Sequence, residues 1–586
     1  MIIASAVNLA SDIHCDVCVI GAGPAGITTA LELARARHNV VLVESGSLMP
    51  HQQTQQIGDA ERFDAARHAP MHVATRRQLG GSSAVWGGRC VPLDPVDFIP
   101  RAVAGNTQWP IAYAELARFW PKACEYLLCG RAEFNADSIG DGSQSIVPGF
   151  VDGEIRACDL ERWSLPADFG KVHREELQRS AHIRLILGMT CIGLTAERGA
   201  GEISWASFRS LGGAQIKVRA RHFVVAAGGL ESTRLLMNCD SHVPGGLGNE
   251  SGWLGAGYMG HLQGQIAEVG FNTPAARTMH GFERDAQGVY CRRRFTVSTD
   301  TQLREGLLNS AIWLNNPSLA DASHRNGILS MSHLALSLPG MRLARAPEAI
   351  RRAAVDSDRR SPALSHWRNI LHDLPRTAAF VPHYLHKRYL RPRKLPAFFL
   401  FNPGNRYCLY YQGEQAADPN SRVTLGEQRD ALGMRRLVIE FHYSAADIES
   451  ILRTHQLLGA HLGKLGLGEL HYLAADPREA IDRQARDGIH QIGTTRMSLR
   501  PEDGVVDAHC RVHSTTNLFV ASSSVFPTSG QANPTLPIVA MAVRVAETIS
   551  AELNGRRRYP QAVARLIGPA ASRPPALSQA TISAPS

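Results

Sequence analysis

The sequence predicts an α/β fold, α+β overall. A dinucleotide-binding domain of parallel strands and helices is assembled from discontinuous segments and joined to a second domain with an antiparallel sheet and helices. Three observations predict it. A complete strand–turn–helix–strand unit lies within residues 15–44. Two further strand–turn–helix groups stand far away, at 221–237 and 517–553. Between 265 and 480 the pattern turns to alternating stretches such as 436–442, which read as antiparallel strands.

The run 15–20 is short, apolar and β-branched, the pattern of a buried strand. Gly21-Ala22-Gly23-Pro24-Ala25-Gly26 follows at once. Residues 27–37 then read as a helix with Ala30, Leu31 and Ala34 on one face, and 40–43 as a second strand ending at Glu44. In this context Gly21 permits the tight turn, Gly23 lets a pyrophosphate approach the backbone, and Gly26 lets the helix pack close to the sheet. The helix N-terminus, at Pro24 and Ala25, faces the phosphates with its partial positive charge. Glu44 is placed to accept hydrogen bonds from a ribose and disfavours a 2′-phosphate, which argues against NADP.

A second glycine-rich loop, 78–88, brings Gly80, Gly81, Ser82, Ser83, Trp86, Gly87 and Gly88 together. Such a loop can lie flat against a planar ring and offer it backbone N–H groups. Further on, 222–227 reads as a strand, Gly228-Gly229 as a turn after Ala227, and 230–237 as a helix. Near the end, 517–521 reads as a strand and 522–534 as a loop that begins with Ser522 and Ser523. A helix follows over 535–553.

The chemistry is expected in the C-terminal third. His490 stands in Gly488-Ile489-His490-Gln491-Ile492-Gly493-Thr494, and Asn533 in Gly530-Gln531-Ala532-Asn533-Pro534-Thr535. A neutral imidazole can take a hydroxyl proton while hydride leaves the same carbon, and an amide beside it can hold the substrate oxygen. The chain has 24 histidines, so position has to select among them.

Composition narrows the rest. The net charge is +9, and residues 341–396 alone carry thirteen Arg or Lys against four acids, which equals the whole excess. Interleaved aromatic and aliphatic residues make this segment a basic helical insertion. It is a candidate for peripheral contact with an anionic membrane or a partner subunit, or simply a solvated insertion. Nucleic-acid binding has no support beyond net charge. The 11 cysteines show no zinc spacing, no metal site is expected, and Cys15 and Cys18 read as buried, apolar-like residues of a strand. The N-terminal residues lack the pattern of a secretory signal and no run is long enough to span a membrane. A cytoplasmic protein is the expectation, with a peripheral seat on the inner membrane as the alternative. The Pro/Ala/Ser-rich tail 556–586 is expected to be disordered.

Taken together, these motifs resemble the glucose–methanol–choline (GMC) family of FAD oxidoreductases over about residues 14–553. The anchors are the first glycine loop with Glu44, the 80–83 loop and Ala226-Ala227-Gly228-Gly229-Leu230-Glu231-Ser232. His490-x-x-Gly493-Thr494 and the 526–535 run complete them. Trp109-Pro110-Ile111 with Tyr113, Ser421-Arg422-Val423-Thr424-Leu425 and Asn533-Pro534-Thr535 are similar to one branch of that family. That branch holds pyranose oxidases, sugar 3-dehydrogenases and the large subunits of fructose and gluconate dehydrogenases.

The resemblance implies FAD as cofactor, His490 as base and Asn533 as its hydrogen-bonding partner, with Pro534 and Thr535 at the flavin edge. Val85 stands where covalently flavinylated members carry histidine, so noncovalent FAD is expected. The implied reaction oxidises a CH–OH group, on a sugar, glycoside or polyol, by His-assisted hydride transfer to flavin N5. Oxygen, a quinone or a cytochrome would take the electrons. Oxidation of a lipid, sterol or long-chain alcohol at a membrane surface is the main alternative, and a non-redox flavin lyase the other. The expected division is 14–90, 185–262 and 485–555 for the FAD domain, and 91–184 and 263–484 for the substrate domain.

Overall fold

The computed structural model describes residues 2–3, 11–105, 107–139, 145–165, 168–196, 201–240, 244–338 and 361–555. The tail 556–586 and the first part of the basic insertion, 341–360, lie outside them.

Two eight-stranded sheets organise the chain. In the first, Ile183–Leu187, Val40–Glu44, Asp12–Ile20 and Gln215–Val225 lie side by side and parallel. Leu518–Val520 pairs parallel with the end of Gln215–Val225, at Phe223 to Val225. Where helices cover the sheet the strands are apolar: Val40–Glu44 is buried at every position, and so are 17–20 and 223–225 at the ends of their strands. The three segments read as one sheet are thus brought together by the long strand Gln215–Val225. An antiparallel pair, Ile203–Arg209 and Thr190–Ala196, extends the edge beyond it.

Helix Thr535–Leu553 packs beside helix Pro24–Arg35. It is apolar on nearly every face, with Leu536, Val539, Ala540, Met541, Val543 and Val545 all buried. A helix apolar all round needs cover on more than one side. The second cover is Trp120–Leu127, whose Trp120, Ala123, Cys124 and Leu127 join the first core. Trp109 to Cys129, within the segment 91–184 expected for the substrate domain, contribute to this first core. The expected strand at 436–442 is Arg435–Glu440, antiparallel to Arg422–Arg429. These two and Arg62–Phe63 form a small separate sheet, and Val423, Leu437 and Ile439 again pack into the first core.

The second sheet is antiparallel, in the order Gly468–Tyr472, His261–Phe271, Arg406–Glu414, Ser310–Asn315, Tyr290–Val297, Ile155–Trp163 and Arg89–Cys90. Arg89–Cys90 joins this sheet although it follows the cofactor loop directly. One face is apolar: Leu262, Phe295, Ile312, Leu314, Leu409 and Tyr411 pack on helix Ala445–Lys464 through Ile451 and Leu458. Strand alternation therefore turns Arg89, Glu161, Trp163, Arg292, Trp313, Tyr410 and Gln412 to the opposite face. Cys15 and Cys18 lie in strand Asp12–Ile20, partly and fully buried, both as free thiols.

Candidate active site

The glycine loops meet at the C-terminal edge of the first sheet. Gly21 has φ +100°, and a Cβ there would stand 2.6 Å from the Ala226 carbonyl oxygen, so this turn takes only glycine. A Cβ on Gly26 would lie 1.8 Å from the Gly21 carbonyl oxygen, and one on Gly81 would lie 3.1 Å from Gly23 Cα. By contrast, a Cβ on Gly23, Gly87 or Gly228 would meet no atom within 4 Å. The glycines thus divide into those required by packing and those that border open space, as a pyrophosphate and ring system needs.

Glu44 ends its strand buried, its carboxylate accepting from the N–H groups of Ala22 and Gly46, each at 2.8 Å. Burial raises its pKa, against those amides and Arg77, which lower it. Beside it a cavity of about 230 Å³ is lined by Ser45, Gly46, His51, Thr54, Gly188 and Thr190, room for a flat heterocycle next to the ribose position. Ser83 is buried, its hydroxyl donating to the Gly80 carbonyl at 2.6 Å and accepting from Phe169 N–H at 3.0 Å. Ser82 and Val85 are exposed and Trp86 is half-buried against the first core. Gly229 packs on Gln491, and Ser523 Oγ donates to the Gln491 carbonyl at 2.6 Å. Ala227, Gly228, Ser522 and Ser523 therefore lie next to the segment that carries His490. The residues present fit an FAD: glycine-lined open backbone, a helix N-terminus, a buried carboxylate and an adjacent cavity.

Gly23→Ala and Gly26→Ala separate these roles. The first is expected to fold with unchanged thermal stability yet purify with little FAD, read from the flavin-to-protein absorbance ratio. The second is expected to destabilise the apoprotein itself.

His490 and Asn533 are in contact: Asn533 Nδ2 lies 3.2 Å from His490 Nε2. The surroundings set the chemistry of this contact. Asn533 Oδ1 accepts from the Arg89 guanidinium, and from Gln412 Nε2 at 3.1 Å. Gln412 Nε2 also donates to the Gln531 carbonyl at 2.7 Å, which fixes its orientation. Two donors on Oδ1 leave Nδ2 to face His490, so Nε2 of the imidazole is the acceptor and holds a lone pair. The ring proton is then on Nδ1, which lies 3.1 Å from Asp487 Oδ2 and 2.9 Å from His261 Nδ1.

Asp487 is buried and already anchored by the N–H groups of His261 at 2.8 Å, Ile489 at 2.9 Å and His490 at 3.2 Å. Burial would raise its pKa, but His490 and His261 outweigh burial and hold it down to about 2. Burial and the neighbouring His490 push His261 down to about 3, so it stays neutral. The arrangement is chemically suited to proton abstraction, an imidazole nitrogen at the site with a fixed carboxylate behind the ring.

Neither His261 nor Asp487 was picked out from the sequence. Asp487 had a local signal, three residues before His490. His261 had none, since strand pairing alone brings it there. Together the three have metal-ligand composition, their ligand atoms all within 4.8 Å, a grouping the expectation of no metal did not foresee. Hydrogen bonds among them account for the geometry. Arg89 was also missed, as were Glu161 and Arg292. Glu161, fully buried, pairs with both Arg89 and Arg292, and Arg292 stacks at 4.3 Å from the Trp313 ring centroid and 5.2 Å from that of Trp163. A cavity of about 360 Å³ opens outside this cluster, lined by Phe282, Phe380, Tyr384, Phe398 and Phe399.

The branch motifs have structural work in this region. Trp109 Nε1 donates to Thr528 Oγ1 at 2.8 Å and its ring lies against Phe98 and Phe526, tying down the loop that ends in Asn533. Ser421 Oγ donates to the Tyr258 carbonyl at 2.7 Å.

Comparison with known proteins gives a family likeness. Residues 417–542, which contain both His490 and Asn533, match the GMC oxidoreductase family, and residues 16–56 match the FAD dependent oxidoreductases. Paromamine 6′-oxidase of Streptomyces fradiae is 24% identical, over 92% of this chain and 92% of its own. The 2-methyl-1,2-propanediol dehydrogenase of Mycolicibacterium austroafricanum is 24% identical, over 91% of this chain and 95% of its own. Formate oxidase of Aspergillus oryzae shares the fold, with a TM-score of 0.52 at 14% identity, over 93% of this chain and 100% of that one.

Proposed function

We propose that this chain, a GMC oxidoreductase that uses FAD, oxidises a CH–OH group of a sugar, glycoside or polyol to a carbonyl with His490 as the base. The observation that carries this reading is the 3.2 Å contact of His490 Nε2 with the Asn533 amide, with Asp487 3.1 Å from Nδ1 behind the ring. FAD, when bound, accepts the hydride. The protein supplies the rest. One hydroxyl oxygen placed beside the pair, at the apex of a triangle with Asn533 Nδ2 and His490 Nε2, would be within reach of both. His490 takes the hydroxyl proton on Nε2, and the imidazolium that results faces the Asp487 carboxylate, so the charge forms where a counter-charge is already fixed. Arg89 and Gln412 hold the amide so that it donates rather than accepts. Val85 offers no nucleophile, which supports noncovalent attachment of the cofactor. The substrate class follows the two relatives named for an aminoglycoside precursor and a diol, together with the polar, aromatic sheet face opposite His490.

An anaerobic absorbance titration of the purified protein with sugars, glycosides, polyols and long-chain alcohols tests this. Bleaching of the flavin band by a sugar or polyol is the expected result. If nothing in the panel bleaches it, the redox reading fails.

A lipid-facing reading of the insertion rests on a separate observation. Over 361–396 the sequence has seven Arg or Lys and a single acid, Asp373. Helices Ala363–His372 and Leu374–Leu385 expose Leu364 (80%), Trp367 (55%) and Leu371 (69%), with Leu390 (74%) just beyond. Exposed Arg368, Arg376, Arg391 and Lys394 stand among them. Apolar side chains ringed by cations fit an anionic bilayer surface. Flotation with anionic liposomes is expected to carry the protein up, less so at high salt, and not after Trp367→Glu with Leu371→Glu. Flotation unaffected by these changes removes the reading. Among the described residues no helix is long and apolar enough to cross a membrane.

A further inference from the structure

Three arginines stand on the face of the second sheet turned to the catalytic pair: Arg89, Arg292 and Arg294, all buried. Glu161 uses one carboxylate oxygen on Arg89 and the other on Arg292. Arg294 shares the attraction of Glu161 only at longer range. Arg294 is 2% exposed, and its Nε and one terminal nitrogen are buried with no acceptor. Its nearest acid, Asp94, is 3.8 Å away, outside hydrogen-bond reach. Asp94 Oδ2 instead accepts from Asn309 and Gln531, each at 2.9 Å. The second terminal nitrogen of Arg89 is likewise buried without an acceptor. Buried guanidinium N–H groups almost always find one, because leaving them bare forfeits their hydration.

We infer that Arg294 and Arg89 form a subsite for a carboxylate on the substrate, so that the preferred donor is an acidic sugar, a uronate or an aldonate, rather than a neutral one. Planar guanidinium edges offer the paired donors that a carboxylate accepts. Distance to the chemistry is short. One terminal nitrogen of Arg89 already donates to Asn533, so an anion on the other sits a few bonds from a hydroxyl held by Asn533 and His490. The inference deepens the CH–OH reading and rests on it for the position of the hydroxyl.

The test uses the FAD-loaded protein and two independent readouts. In the first, matched pairs such as glucose with glucuronate and galactose with galacturonate are compared by anaerobic flavin reduction. The acidic member is expected to be favoured about 10- to 100-fold in kcat/KM, the range of a charge-assisted hydrogen-bonded contact. Arg294→Leu is expected to abolish that preference and Arg294→Lys to keep part of it. Neutral members reacting as well as acidic ones would overturn the inference while leaving the CH–OH reading intact. In the second readout, acetate, which cannot be oxidised here, is titrated calorimetrically. Binding that Arg294→Leu weakens about tenfold or more supports the subsite even if no sugar reduces the flavin. Such a result separates failure of the activity reading from failure of this one. Absent acetate binding, or binding unchanged in folded, FAD-loaded Arg294→Leu, overturns it.

Discussion

Replacing His490 by alanine is expected to lower turnover about 10²- to 10⁴-fold, the usual contribution of a general base, while FAD stays bound. The reason lies in where the proton goes. With Nε2 lost, the hydroxyl beside Asn533 has only an amide N–H for company, and an amide cannot take a proton. Water is a poor replacement because it is a far weaker base than imidazole. The measurement is the single-turnover rate of flavin reduction, with the flavin-to-protein absorbance ratio as the control on cofactor. Added imidazole is expected to restore part of the rate. A His490→Ala protein that reduces its flavin as fast as the parent would remove the assignment. Asp487→Asn tests the positioning role behind it. The amide cannot carry the counter-charge for an imidazolium, so the rate falls and its pH profile shifts, whereas a purely structural role moves stability and leaves the profile alone.

Stability is expected to fall steeply as pH drops below about 6.5, with cooperative unfolding before about pH 4. Three buried histidines and the largely buried His222 carry the effect. Burial pushes His68, His222 and His455 down to about 4, and His261 down to about 3, from an ordinary value of 6.5. The sign is set by the unfolded chain, which binds these protons at higher pH than the folded one. The stabilisation is therefore complete above 6.5 and is lost as pH falls from there toward about 4. At about 1.4 kcal/mol per pH unit, each histidine forfeits on the order of 2–3 kcal/mol across the window. Four together forfeit on the order of 10 kcal/mol, comparable with the whole stability of a typical protein. Thermal unfolding followed by circular dichroism across this pH range reads it directly. A melting temperature that is the same at about pH 4.5 as at neutrality would refute the buried neutral state of these rings.

Much of the cofactor half was legible in the sequence because its signals are local. Gly21, Gly23 and Gly26 sit between an apolar strand and a helix, and Glu44 closes the unit. Each of these is a short-range pattern with one backbone outcome. His490 and Asn533 were legible only through motif resemblance, and the structure sets them 3.2 Å apart. The domain boundaries were less legible. Nothing local in Trp120–Leu127 says which core its apolar face joins; the all-round apolarity of Thr535–Leu553 settles that only once both are folded.

By itself the sequence determined the dinucleotide loop, the order of the strand and helix groups that build the first sheet, and the residue types available for catalysis. Tertiary structure alone decided the state of the base. His261 and Asp487 reach His490 from a distant strand and from the turn before it, and Arg89 and Gln412 come from the second sheet to orient Asn533. Tautomer, amide orientation and local charge depend on which donors and acceptors meet across hundreds of residues. Hydrogen-bond direction is a property of the pair in space, and no single stretch of chain encodes it.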